Sequence, residues 1–173
     1  MTQQPPIAQR LRVAHLATGR DNEFVLSTDA AMRKAVADYL DIRGIDNFEF
    51  QGAVRATGRQ DWLLTGRLRA RVVQDCVVTL DPVTTRIDEE VRLLFTPELS
   101  TPEAEEVEMG DENTEPLGQF IDIGAVALEA LALALPPYPR REDAELPEAV
   151  EEEAPEETRK PFAGLGDLLK NRD

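Results

Sequence analysis

The stretch WLLTGRLRARVVQDCVVTLDPVTTRIDEEVRLLF (residues 62–95) decides what kind of fold this chain adopts. In residues 62–80 the even positions are Trp62, Leu64, Leu68, Ala70, Val72, Cys76, Val78 and Leu80. The odd positions include Thr65, Arg67, Arg69, Arg71, Asp75 and Thr79. Successive side chains on a strand point to opposite faces, so a period of two predicts one long strand with an apolar face and a polar face. Residues 84–95 repeat the pattern, with Ile87, Val91, Leu93 and Phe95 on one parity.

The neighbouring segments extend this sheet. NFEFQGAVRAT (residues 47–57) alternates through Phe48, Phe50, Val54 and Ala56, and the short turn GRQD joins it to residue 62 onward as a hairpin. LRVAHL (residues 11–16) alternates like a strand and runs into a turn at TGRDN. STDAAMRKAVADYLDI (residues 27–42) predicts a helix capped by Ser27 or Thr28, with Ala31, Ala35, Val36, Tyr39 and Leu40 at helical spacing and Gly44 as the stop. IDIGAVALEALALALPPYP (residues 121–139) predicts a second helix, capped by Asp122 and stopped at Pro136 and Pro137. It is apolar on nearly every face, which argues for a buried helix. Two helices with at least four consecutive strands and no βαβ alternation predict an α+β domain with a largely antiparallel sheet, for which a barrel-like closure is one available form.

Charge divides the chain. The net charge is −15, yet residues 1–96 carry 13 basic and 13 acidic side chains. Residues 97–173 carry 6 basic and 21 acidic ones, so the whole excess belongs to the second part. Two tracts concentrate it: PELSTPEAEEVEMGDENTEP (residues 97–116) and EDAELPEAVEEEAPEE (residues 142–157), with eight and nine acids and no base. Like-charge runs with proline bury too little to offset the entropy of ordering. The expected organisation is a single domain over residues 1–139 with an acidic loop at 97–116. A disordered acidic linker at 140–160 and a short helical motif at 161–173 follow. In that motif Phe162, Leu165, Leu168 and Leu169 line one side. The stripe can fold back on the core or engage a partner, and partner contact is the preferred reading.

The residues offer little for catalysis. Cys76 shares the apolar parity, and a thiol buried among aliphatics has its pKa raised and is a poor nucleophile. A β-bulge between Arg71 and Cys76 would reverse that placement. The only histidine, His15, shares parity with Leu11 and Val13, which suits a core or edge residue better than a base for Cys76. One cysteine and one histidine cannot build a zinc site unaided. Glu89 shares parity with Ile87 and Val91, as an isolated edge or turn residue would. No phosphate-binding, nucleophile-elbow or dinucleotide motif is present, so no enzyme activity, metal or cofactor is expected. A single cysteine, the absence of a secretory pattern in MTQQPPIAQRLRV and the lack of a long apolar run suit a soluble cytoplasmic protein.

Arg67, Arg69 and Arg71 project from one sheet face, with Arg55 and Arg59 on the neighbouring strand and turn. Basic groups on an open face can meet RNA phosphates, although a polar outer face is also ordinary for antiparallel sheets. Glu49 and Asp75 can neutralise part of it, and no exposed aromatic ladder accompanies the arginines for base stacking.

Several stretches together resemble the YceD family, the large ribosomal RNA subunit accumulation proteins of bacteria and plastids. They are GRLRARVVQDCVVTLDPV, IDEEVRLLF, an acidic loop, IDIGAVALEALALALPPYPR and KPFAGLGDLLK, in the family's order over most of residues 45–173. The resemblance implies a small non-enzymatic cytoplasmic protein, often encoded beside a large-subunit ribosomal protein, that supports accumulation of 23S ribosomal RNA. Its implied partners are ribosomal RNA or a basic large-subunit ribosomal protein. No membrane or small-molecule substrate is implied. Two departures stand out. Many members carry CxxC where this chain has CVVT, so Thr79 replaces the second cysteine and no metal or dithiol role carries over. Lys160 stands where the family usually has Asn before Pro-Phe. The alternative class is a general acidic, chaperone-like module whose effect on ribosomal RNA is indirect.

Overall fold

The computed structural model describes residues 6–97 and 113–145. Three long strands dominate it: β3 (Gly44–Thr57), β4 (Asp61–Asp75) and β5 (Pro82–Thr96). They form the centre of a five-stranded sheet in the order β2-β3-β4-β5-β6, with β2 at Asn22–Ser27 and β6 at Thr114–Pro116. All neighbours are antiparallel except β5 and β6, which run parallel. The sheet has two free ends and is open, not the barrel the alternation also allowed. A second, two-stranded sheet pairs β1 (Arg10–Arg12) with β7 (Phe120–Asp122). The helices are α1 (Ala30–Tyr39) and α2 (Ile123–Ala134). The fold is α+β, as the pattern of elements predicted.

Parity decides the faces. Phe48, Phe50, Val54, Leu64, Leu68 and Val72 are buried on the inner face, where α2 adds Ile123, Ala127 and Leu131. Burying each large side chain contributes about 1.5–3 kcal/mol, so this layer carries most of the stabilisation. Two positions along from the directly paired Phe50 and Leu68, Gly52 pairs with Gly66 across β3 and β4. A Cβ on Gly52 would run into the carbonyl of Thr65, and one on Gly66 would lie 2.6 Å from the Phe50 ring. The two backbones approach where neither residue has a side chain, and Phe50 lies over the gap with its ring centroid 5.1 Å from that of Phe24.

Several local expectations are revised. The strand expected over residues 11–16 is only three residues long, and Val13–His15 form a 3₁₀ turn instead. The helix N-cap is Asp29, whose carboxylate accepts from Met32 N at 2.7 Å, and not Ser27 or Thr28. Thr28 is committed elsewhere, because its hydroxyl donates to Phe48 O at 2.8 Å. Asp122 caps α2 as expected, accepting from Ala125 N. That helix is buried on one side only, and Leu133 on the other side is 81% exposed. The register shift in the long strands falls at Ile45/Asn47, not between Arg71 and Cys76.

The largest difference concerns residues 62–80. β4 ends at Asp75, and Cys76–Leu80 form a tight turn into β5. Cys76 N donates to Asp81 O, Leu80 N donates to Cys76 O, and Leu80 adopts φ 60°. Leu80 is therefore exposed, although parity placed it in the core. Beyond α2 the chain returns along this turn. Val77 N donates to Pro139 O, Arg141 pairs with Asp81 at 3.1 Å, and Ala144 is buried. Residues 140–145, expected at the start of the linker, thus contact the domain. Of the acidic loop, residues 114–116 form β6. Residues 98–112 and 146–173, with the remainder of the linker and the terminal motif, lie outside the described residues.

Candidate functional site

The outer face of the sheet is a ladder of charge. Arg67, Arg69 and Arg71 are exposed on it, as their spacing predicted. Their cross-strand partners are Glu90, Asp88 and Arg86 on β5, and Gln51, Glu49 and Asn47 on β3. Arg67 leaves its direct partner and reaches diagonally to Asp88, with Nε–Oδ1 at 2.5 Å and Nη2–Oδ2 at 3.0 Å. Arg69 Nε lies 3.7 Å from the same carboxylate. The hydrogen bonds from Arg67, and then the charges of Arg67 and Arg69, hold the Asp88 carboxyl below the usual carboxylate range. Arg55 makes a comparable two-bond pair with Asp21.

Of the two acids expected to neutralise part of the face, Asp75 pairs instead with Arg43 at 2.7 Å, and Glu49 lies opposite Arg69 in the register but makes no ion pair among the described residues. The acid that meets the arginines is Asp88, legible as a polar position on the run of β5 but not as the partner of two arginines. Arg71 faces Arg86 and makes no ion pair among the described residues. Arg59 sits at the β3–β4 turn, away from this cluster. The arginine triple is therefore two residues that share one carboxylate and one open residue. Phe162, Leu165 and Leu168 lie outside the described residues.

Cys76 is fully buried, but in a turn and not a strand. The Thr79 side chain hydrogen-bonds to the thiol, and Val78 N donates to Sγ at 3.5 Å. With a further backbone bond from Arg141, these donors outweigh the cost of burial and lower the thiol to about 7. This reverses the expectation of a raised pKa: stabilisation of a thiolate by donors wins over desolvation. His15 is exposed on the 3₁₀ turn, not set into the core. Among the described residues no group of His, Cys, Asp and Glu could hold a metal ion. No helix among them is long and apolar enough to cross a membrane.

On the inner side, a groove of about 370 Å³ runs between β5 and α2. Val91, Leu93, Val126 and Leu133 contribute apolar wall, and Glu89, Glu115 and Glu129 contribute acids. Glu89 is thus exposed at this rim, despite its parity with Ile87 and Val91. Burial, and then the charge of Glu129, raise the pKa of Glu115.

A sequence model of the family described as large ribosomal RNA subunit accumulation protein YceD matches residues 64–169. The chain belongs to the YceD family. The match begins inside β4, two residues after Trp62, and takes in the arginine ladder, the Cys76 turn and α2. It continues through the terminal motif to Leu169, so both the open Arg71 and the apolar stripe fall within the family's extent. No curated protein and no solved structure matches the chain significantly.

Proposed function

We propose that this YceD-family protein is a non-catalytic factor that supports 23S ribosomal RNA during large-subunit biogenesis. It does so by binding ribosomal RNA or a basic large-subunit ribosomal protein. Membership in a family described by large ribosomal RNA subunit accumulation carries this reading. The outer face limits how RNA would be held. With Arg67 and Arg69 sharing Asp88, the open cations beside them are Arg71 and its cross-strand partner Arg86. Two phosphate contacts to single-stranded RNA give a salt slope of about −1.4, or about a sevenfold affinity loss between roughly 50 and 200 mM salt. Contact of that size suits a protein that acts beside other factors and does not hold RNA alone.

A second reading is favoured by the 21 acids against 6 bases in residues 97–173. On that reading the acidic segments attract a basic ribosomal protein and the effect on RNA is indirect. Sedimentation of cell extract through a gradient separates the readings. Comigration with precursor large subunits, lost on ribonuclease treatment of the complex, supports direct action on ribosomal RNA. Exclusive presence in the soluble top fractions supports the second.

A further inference from the structure

We propose that the groove between β5 and α2 is the docking site for the chain's own residues 159–172. Such docking is compatible with either kind of partner, RNA or protein. The open edge of β5 forms one side of the site. That strand spans Pro82–Thr96, but β6 covers it only at Leu94–Thr96. Leu94 N donates outward, to Asn113 O. Backbone groups alternate sides along a strand, so those of Arg92, Glu90, Asp88 and Arg86 point to the same edge, which no strand among the described residues covers. A long open edge is a template for pairing, and folded proteins cover such edges or blunt them.

The groove continues from this edge onto α2, where Leu133 stands 81% exposed beside Val91, Leu93 and Val126. Its acids are Glu89, Glu90, Glu115 and Glu129, with Arg92 the single cation of the lining. An occupant therefore needs apolar side chains together with positive charge. Residues 98–112 supply acids and no base, which the groove would repel. Residues 146–157 are equally acidic. Residues 159–172 are the opposite: Arg159, Lys160, Lys170 and Arg172 flank Phe162, Leu165, Leu168 and Leu169, with Asp167 the only acid. In a chain of net charge −15, this is the one stretch outside the described residues that combines both properties.

The tether is long enough. The described chain leaves the β4–β5 turn at Glu145, beside Arg141–Asp81 and near the start of β5. Along the strand, the groove begins about 25 Å away at Glu89, at roughly 3.3 Å per residue. Residues 146–158 can span about 45 Å when extended. The sequence alone left the apolar stripe free to meet a partner. The acid-rimmed groove within its reach gives it a site on its own domain.

Disulfide trapping in the full chain tests this. Leu133→Cys combined with Leu165→Cys is compared with Val25→Cys combined with Leu165→Cys. Val25 is exposed on β2, at the far edge of the sheet, and Leu133 is itself exposed, so neither substitution disturbs the core. Peptide mapping distinguishes the engineered pair from products of Cys76. Docking predicts an intramolecular disulfide between positions 133 and 165 that forms at least about tenfold faster than the control, independent of protein concentration, as tethered encounter requires. Adding Glu129→Lys should slow it several-fold. Equal rates in the two double variants overturn the proposal, and so does a disulfide that forms only between two copies. Indifference to Glu129→Lys overturns the electrostatic basis of the site.

Discussion

Arg67 grips Asp88 with two hydrogen bonds on a diagonal across β4 and β5, bypassing Glu90, its direct partner in the ladder. The consequence reaches Arg69, whose Nε shares the same carboxylate oxygen. One aspartate thus pairs fully with Arg67 and partly offsets the charge of Arg69, which weakens two of the three aligned arginines as free cations.

Removing that aspartate should expose them. Asp88→Asn is expected to strengthen RNA binding and steepen its salt dependence. The slope would move from about −1.4 with two phosphate contacts toward about −2.8 with four. Arg71→Glu in the native background should abolish most of the salt dependence. Filter binding of single-stranded RNA across a salt series reads both. If Asp88→Asn leaves the slope unchanged, the arginine ladder is a solvated face with no RNA contact.

Cys76 sits where its turn stabilises a thiolate, which gives a pH signature. Its folded pKa of about 7 lies below the value of about 8.5 for an unfolded cysteine. An acid whose pKa falls on folding stabilises the protein most above the unfolded value. That stabilisation is lost as pH falls through the folded value of about 7. Thr79→Val should shift the thiolate absorbance midpoint upward and flatten stability between about pH 7 and 8.5. Cys76→Val should still restore 23S RNA levels in a deletion strain, since the turn holds no second thiol and no metal-binding cluster lies among the described residues. Failure of a well-folded Cys76→Val to do so would give the thiol a role.

The paired glycines make a stability prediction. Gly66→Ala places a methyl 2.6 Å from a Phe50 ring already packed on Phe24. Overpacking of this kind costs about 1–3 kcal/mol. Gly52→Ala should cost more, because the group it meets is the backbone carbonyl of Thr65, which cannot rotate aside. Urea midpoints with unchanged m-values check the order. Equal stability of Gly66→Ala and the parent would mean that Phe50 moves freely.

These residues also show what the sequence made legible. Alternation placed Phe48, Phe50, Leu64, Leu68 and Val72 on the buried face and the three arginines opposite, because strand geometry enforces a period of two. It failed at Cys76–Leu80, where an apolar run continues past the end of β4. There the backbone turns through Leu80 in a left-handed conformation, and hydrogen bonds to Asp81 and Pro139 set the path. Periodicity cannot register partners that distant. Cys76 was assigned to the interior correctly, but for a strand that had already ended. Asp88 was visible only as one acid in IDEEVRLLF. Its role depends on which strand lies beside it and in what register. The groove depends on α2 crossing β5, a tertiary fact with no local signal beyond the bare Leu133 face.

That groove supplies the last prediction. Glu115 is partly buried near Glu129, so its carboxyl is held above the usual range by burial first and by the second acid next. An acid whose pKa rises on folding contributes its full stabilisation below the unfolded value, near about 4.3. That contribution is lost as pH rises through the folded value. Glu115's share of the stability should therefore increase as pH falls from about 7 toward about 5, and Glu115→Gln should remove that share from the pH dependence. Glu129→Gln should remove less, because the larger cause, burial of Glu115, remains. The comparison uses urea midpoints at the two pH values for the parent and both variants. If Glu129→Gln flattens the pH dependence as fully as Glu115→Gln, charge crowding and not burial governs the groove.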